Sequence, residues 1–231
     1  MVKKYKHVYF DLDRTLWDFE SNAEETFEEI YDKYKLNTIF PEFAIFHETY
    51  KKHNQRLWKA YRDGKLKKQI LRNKRFELTL EEYGNTDPAL AEKIGDDYIT
   101  LSPAKTRLFP GARETLEYLY ERYNLYIITN GFNEVQFAKL KNCGIDNYFN
   151  AVFTSEDAGA QKPHKEIFQH ALKNVNAKKS ESIMIGDDLE SDIQGSMNFG
   201  MDQIFFNPNG IPHDSKPSFE IRQLEEIKTI M

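Results

Sequence analysis

Three short apolar runs in this chain stop abruptly at polar residues. Val8-Tyr9-Phe10 stops at Asp11, with Asp13 and Thr15 close behind. Leu125-Tyr126-Ile127-Ile128 stops at Thr129-Asn130-Gly131, and Ser182-Ile183-Met184-Ile185 stops at Gly186-Asp187-Asp188. Runs this compact read as strands buried on both faces, which implies a parallel sheet covered by helices. Ala151-Val152-Phe153, residues 203–206 and residues 219–221 extend the strand set. Helical spacing between them predicts helices over 113–123, 134–143, 165–175, 192–199 and 224–230. In such sheets the ligand site lies beyond the carboxyl ends of the strands, where these polar residues gather.

Residues 21–102 carry a different pattern, without a convincing strand. Ser21 and Glu24 have the spacing of a capping box, followed by Ala23, Phe27, Ile30, Tyr31 and Tyr34 at helical spacing. Pro41 opens a second expected helix. A third is expected over 67–83, and Asp87-Pro88 starts a fourth. The short polar connections suit an antiparallel bundle. Because the first strand belongs to the sheet, the bundle is an insertion directly after the acidic stretch. The expected architecture is α/β: a Rossmann-like, doubly wound parallel sheet over 1–17 and 105–231, with an α-helical bundle domain at 18–104.

Composition removes several function classes. The formal net charge of -5 argues against binding a nucleic-acid polymer. No apolar run approaches the ~18 residues of a membrane span, and the first residues lack the apolar core of a signal peptide. Cys143 is the single cysteine, so no intrachain disulfide forms, which fits a cytoplasmic setting. It reads as a small buried apolar residue beside Gly144.

In an extended run Asp11 and Asp13 point the same way, and two such charges need neutralising. A bound divalent cation does that. The chemistry these residues suit is phosphoryl transfer. Asp11 is placed to attack phosphorus. Asp11 and Asp187, with a backbone carbonyl near Asp13, suit Mg²⁺. Asp13 can protonate the leaving oxygen and later take a proton from water. Thr129, Asn130 and the amides after Thr129 are candidates for the phosphoryl oxygens. Lys162, before Pro163, is the candidate cation.

Four segments together resemble the ordered motifs of the haloacid dehalogenase superfamily: DLDRT at 11–15, IITNG at 127–131, QKPHKEIF at 161–168 and IGDDLESDI at 185–193. The resemblance implies Asp11 as nucleophile, Asp13 as acid/base, Thr129 and Lys162 on phosphate, and Mg²⁺ on Asp11, the Asp13 backbone carbonyl and Asp187. It implies Asp192 behind that shell, orienting Lys162 or a metal-bound water. Asp188 either approaches the metal or caps the next helix. An aspartate at position 13 looks like the phosphatase pattern, since relatives that dehalogenate lack an acid there. The helical insertion looks like the superfamily's cap.

Finer similarity, in DLDRTLWDFESNAEETF, LWKAYRDGKLKKQILRNKRF and IITNGF, points to bacterial nucleoside 5′-monophosphate phosphatases. On that resemblance the substrate is a small phosphorylated metabolite and the chain a monomer or weak homodimer. Trp17, Phe19, Trp58 and Tyr61 are then candidates to stack on a base, or else bundle core. Arg72 and Arg75 are candidates to meet polar substrate groups. Alternatives are a sugar-phosphate or phosphoglycolate phosphatase, a mutase, a phosphonate hydrolase and, from another class, a phosphorylatable switch module.

Overall fold

The computed structural model describes residues 5–231, and residues 1–4, part of the sequence weighed above as a leader, lie outside them. β1 (His7–Phe10) opens the fold. α1 (Phe19–Lys33), α2 (Phe43–Arg62), α3 (Lys68–Glu81) and α4 (Pro88–Leu101) follow. The chain then runs through α5 (Ala112–Tyr120), β2 (Asn124–Thr129), α6 (Asn133–Asn142), β3 (Ala151–Thr154), α7 (Ser155–Ala158), α8 (Lys165–Asn174) and β4 (Ser182–Gly186). A π-helical turn (Leu189–Gln194) leads into α9 (Gly195–Phe199), β5 (Asp202–Phe206), β6 (Phe219–Ile221) and α10 (Ile227–Ile230). Contacts divide the chain into two compact units. One runs to Phe19 and resumes at Thr106; the other is Glu20–Lys105.

The first unit is a six-stranded, wholly parallel sheet in the order β3-β2-β1-β4-β5-β6. Strand alternation sends side chains to two separate cores. Val8, Phe10, Leu125, Ile127, Ile183 and Ile185 face α5, α6 and α10. Tyr9, Tyr126, Ile128 and Met184 face α8 and α9 through Ile167, Phe168 and Phe199. Strand order grows in opposite directions from β1 and β4, which pair directly, Phe10 opposite Ile185. A crevice forms beyond the strand ends at such a switch point.

The second unit is a helical bundle around an aromatic core. The Phe27 ring lies 4.3 Å from Tyr50, 4.8 Å from Tyr98 and 5.7 Å from Phe46, centre to centre. Asp87 caps α4 as its pattern predicts, accepting from the Ala89 amide at 2.9 Å.

Three local expectations are corrected. α1 begins at Phe19, so Ser21 lies inside its first turn and is not a cap. Phe19 packs against the sheet's core and against Trp17, 6.0 Å away, and this tertiary contact draws the helix start forward. α2 begins at Phe43 behind Glu42, two residues after Pro41. The helix expected over 192–199 starts earlier, at Leu189 behind the capping Asp188 side chain, as a π-helical turn that leads into a short α-helix.

Candidate active site

The loop after β1 is built to hold its carboxylates still. The Asp11 amide extends the sheet by donating to the Ile185 carbonyl at 2.9 Å. Leu12, Leu16 and Trp17 are fully buried in the core between the polar residues. Arg14 takes a left-handed conformation, φ 65°, and its amide donates to the Trp17 carbonyl. The turn therefore closes on itself, with Leu12, Leu16 and Trp17 anchoring the segment that carries Asp11, Asp13 and Thr15.

Lys162 lies at the centre of the site and is 1% exposed. Its ammonium donates to Asp11 Oδ1 at 2.5 Å and to the Ile128 carbonyl at 2.7 Å, and pairs with Asp192 Oδ1 at 2.7 Å. Those three acceptors use all three of its hydrogens. Burial opposes the charge, but Asp11 and Asp192 outweigh it and hold the lysine above its ordinary pKa. Asn130 positions this lysine. Its amide accepts from the Lys162 N–H at 2.8 Å and donates to the Lys162 carbonyl at 2.9 Å. The Asn130 side chain is thus committed to the protein, and only backbone near it is left for a phosphoryl group. Pro163 is held from the other side. A Cβ on Gly195 would come within 2.9 Å of the Pro163 Cα, so only glycine lets α9 approach this closely.

Asp11, Asp187 and Asp192 bring one oxygen each within 4.8 Å of one another. Burial is the first cause of their raised pKa values. It pushes Asp11 up to about 7, with Asp192 and Asp13 adding to the rise and Lys162 opposing it. Asp187 is raised well above the usual carboxylate range by burial and by Asp192 and Asp11. Thr15 donates to Asp187 Oδ1 at 3.0 Å. Three carboxylates thus gather around the Lys162 ammonium, and hard oxygen donors of this kind suit Mg²⁺. Asp192 is already engaged, by Lys162 on Oδ1 and by the Asp188 amide on Oδ2 at 3.1 Å. Asp188 caps the following turn, its Oδ1 accepting from the Glu190 and Ser191 amides at 3.0 and 2.7 Å.

Asp13 faces α6. Its Oδ2 accepts from Gln136 Nε2 at 2.8 Å, and its Oδ1 pairs with Lys139 Nζ at 2.5 Å. The same Gln136 nitrogen donates to Thr129 Oγ1 at 2.8 Å, and the Gly131 amide donates there at 3.0 Å. The Thr129 oxygen thus accepts twice, which leaves its own proton for a third group. The sequence reading missed Gln136 and Lys139. The signal available was their i,i+3 spacing on a helix whose buried face carries few apolar residues.

Of the aromatic and arginine candidates, Trp17 and Phe19 belong to the sheet unit and the other four to the helical bundle. Trp17 is fully buried in the core with Lys139 Nζ 3.8 Å from its ring centroid, so it has no free face for a base. Phe19 is half-buried beneath the Arg14 guanidinium at 4.1 Å. Arg75 is 3% exposed inside the bundle and is corrected from substrate contact to core: it donates to Tyr50 Oη, Asn54 Oδ1 and the Arg72 carbonyl. Arg72 pairs with Asp96. Trp58 and Tyr61 are half-buried and meet edge to face at 5.6 Å. Cys143 is buried, which pushes its thiol up to about 11 and keeps it unreactive.

Residues 5–200, which hold every group described in this site, match the family of haloacid dehalogenase-like hydrolases. The chain belongs to that family. It is 32% identical over 234 residues to the putative HAD-hydrolase YfnB of Bacillus subtilis, covering 100% of this chain and 97% of that one. The crystal structure of YfnB bound to magnesium superposes with a TM-score of 0.91 over 99% of both chains, at 30% identity. The pyrimidine 5′-nucleotidase PynA of Streptococcus pneumoniae is 31% identical over 96% of this chain and 93% of its own. The pyrimidine 5′-nucleotidase YjjG of Escherichia coli is 29% identical over 99% and 98%. Among the described residues of this hydrolase, no helix is long and apolar enough to cross a membrane.

Proposed function

We propose that this hydrolase is a Mg²⁺-dependent phosphomonoesterase that works through an aspartyl-phosphate on Asp11, with nucleoside 5′-monophosphates as substrates. The observation that carries the reading is the cluster of Asp11, Asp187 and Asp192 gathered beyond the strand ends, two of its members on one lysine. Asp11, Asp187 and the Asp13 backbone carbonyl would hold the metal, since both oxygens of Asp192 are already engaged. When bound, Mg²⁺ draws charge from the phosphoryl oxygens and screens them from the carboxylate that attacks.

The rest falls to the chain's own groups. Lys162 fixes and aims the Asp11 carboxylate and favours its ionised form against burial. Asp11 attacks phosphorus, and the ester P–O bond breaks with its electron pair going to the leaving oxygen. Asp13 supplies the proton that lets this oxygen leave as an alcohol. The free proton of Thr129 meets a phosphoryl oxygen. In the second half, Asp13 takes a proton from the water that attacks the phosphorus on Asp11, freeing phosphate. The nucleotide preference is supported by the two relatives named as pyrimidine 5′-nucleotidases, and we assign the 20–105 bundle the role of setting that preference.

The protein with Mg²⁺ should release phosphate from p-nitrophenyl phosphate and from a panel of nucleoside 5′-monophosphates, pyrimidines foremost. Asp11→Asn should lower turnover by at least about 10³-fold, because it removes the nucleophile. Full activity in that variant would overturn the assignment, and a panel won by sugar phosphates would replace the nucleotide.

A further inference from the structure

Asp13 is half-exposed, yet it is held by two of the most buried polar side chains in the protein. Gln136 is 0% and Lys139 3% exposed. An exposed lysine would neutralise such a carboxylate without giving up its own hydration. Lys139 does give it up, with its nitrogen buried against Asp13. What the buried pair adds is direction. Each Asp13 oxygen has one fixed donor, Gln136 on Oδ2 and Lys139 on Oδ1. The second hydrogen of the Gln136 amide goes to Thr129 Oγ1, so one rigid group sets Asp13 relative to Thr129. The Trp17 and Phe19 rings, 3.8 and 5.7 Å from the Lys139 nitrogen, wall the ammonium in. Gly131 leaves the room Gln136 needs, since a Cβ there would fall 2.5 Å from the Gln136 Cδ.

We infer that Gln136 and Lys139 are positioning residues that aim the Asp13 carboxyl at the oxygen of the departing alcohol. The inference rests on the phosphatase reading and extends it to α6. In the step concerned, the ester P–O bond breaks, its electron pair stays on the leaving oxygen, and the Asp13 proton moves to that oxygen.

The test uses two esters of different leaving ability and follows the first turnover, which isolates this step from the entry of water. p-Nitrophenolate leaves without a proton, whereas the 5′-oxygen of a nucleoside needs one. Gln136→Leu and Lys139→Met should each slow nucleoside release by about 10- to 100-fold, within the range general-acid catalysis supplies. The same variants should slow p-nitrophenolate release by less than about 3-fold, with KM little changed. In an Asp13→Asn background neither should slow nucleoside release further. Melting curves run alongside, and Gln136→Leu carries the test if Lys139→Met does not fold. Equal losses on both esters, or a further loss without Asp13, would reduce the pair to structural support and overturn the inference. A wild-type protein that cleaves neither ester would instead overturn the phosphatase reading beneath it.

Discussion

Gly186 ends β4 with no side chain because Asp192 occupies the space one would fill. A Cβ there would lie 2.6 Å from the Asp192 Cβ and as close to its carboxylate. Asp192 in turn holds Lys162, and Lys162 holds Asp11. Gly186→Ala should therefore act through this chain of contacts, costing about 1–3 kcal/mol of stability by overpacking and lowering kcat. Thermal melting and phosphate release measure the two, and an unaffected kcat would mean that Asp192 does not transmit its position to Asp11. At this scale the sequence was readable where a strand ran into a carboxylate, as at Asp11 and Asp187. It was not readable at Gln136 and Lys139. Helical periodicity assigns buried positions to apolar residues, and these two are buried because Asp13, far away in sequence, needs partners.

The same mismatch appears in α3. Its buried face carries Leu71, Arg75, Phe76, Thr79 and Leu80. An arginine among them reads as a surface or substrate-facing charge, yet the Arg75 guanidinium lies 4.9 Å from the Tyr98 ring centroid and 5.1 Å from that of Phe76. Its ring neighbours and its bonds to Tyr50 and Asn54 make it a packing element of the bundle. Arg75→Ala should cost about 2–4 kcal/mol through lost packing and unpaired partners. Arg72→Ala, one turn earlier, breaks only a half-exposed pair with Asp96 and should cost less than about 1 kcal/mol. Urea melts of the two variants separate a structural arginine from a surface one, and equal effects would contradict this account of α3.

Across the whole molecule, the strand order decides what the site can do. β1 and β4 are about 170 residues apart in sequence, so nothing local says that Asp11 and Asp187 meet. Their direct pairing brings both carboxylates, with Asp192, into one cluster. The electrostatic consequence reaches the stability of the fold. With a folded pKa of about 7 against an ordinary 3.8, Asp11 binds more protons folded than unfolded across that window. Asp187 shifts in the same direction. Such groups contribute stability that is fully present below the unfolded pKa and lost as pH rises through the folded one. A divalent cation can take the place of those protons, so it should restore at high pH what deprotonation removes. The rise in Tm on adding Mg²⁺ should thus be small near pH 5 and grow towards pH 8. Asp187→Asn, which removes one of the buried charges, should flatten the metal-free pH profile and shrink the Mg²⁺ effect together. A Tm increment independent of pH would mean that the cation stabilises the protein somewhere other than at these carboxylates.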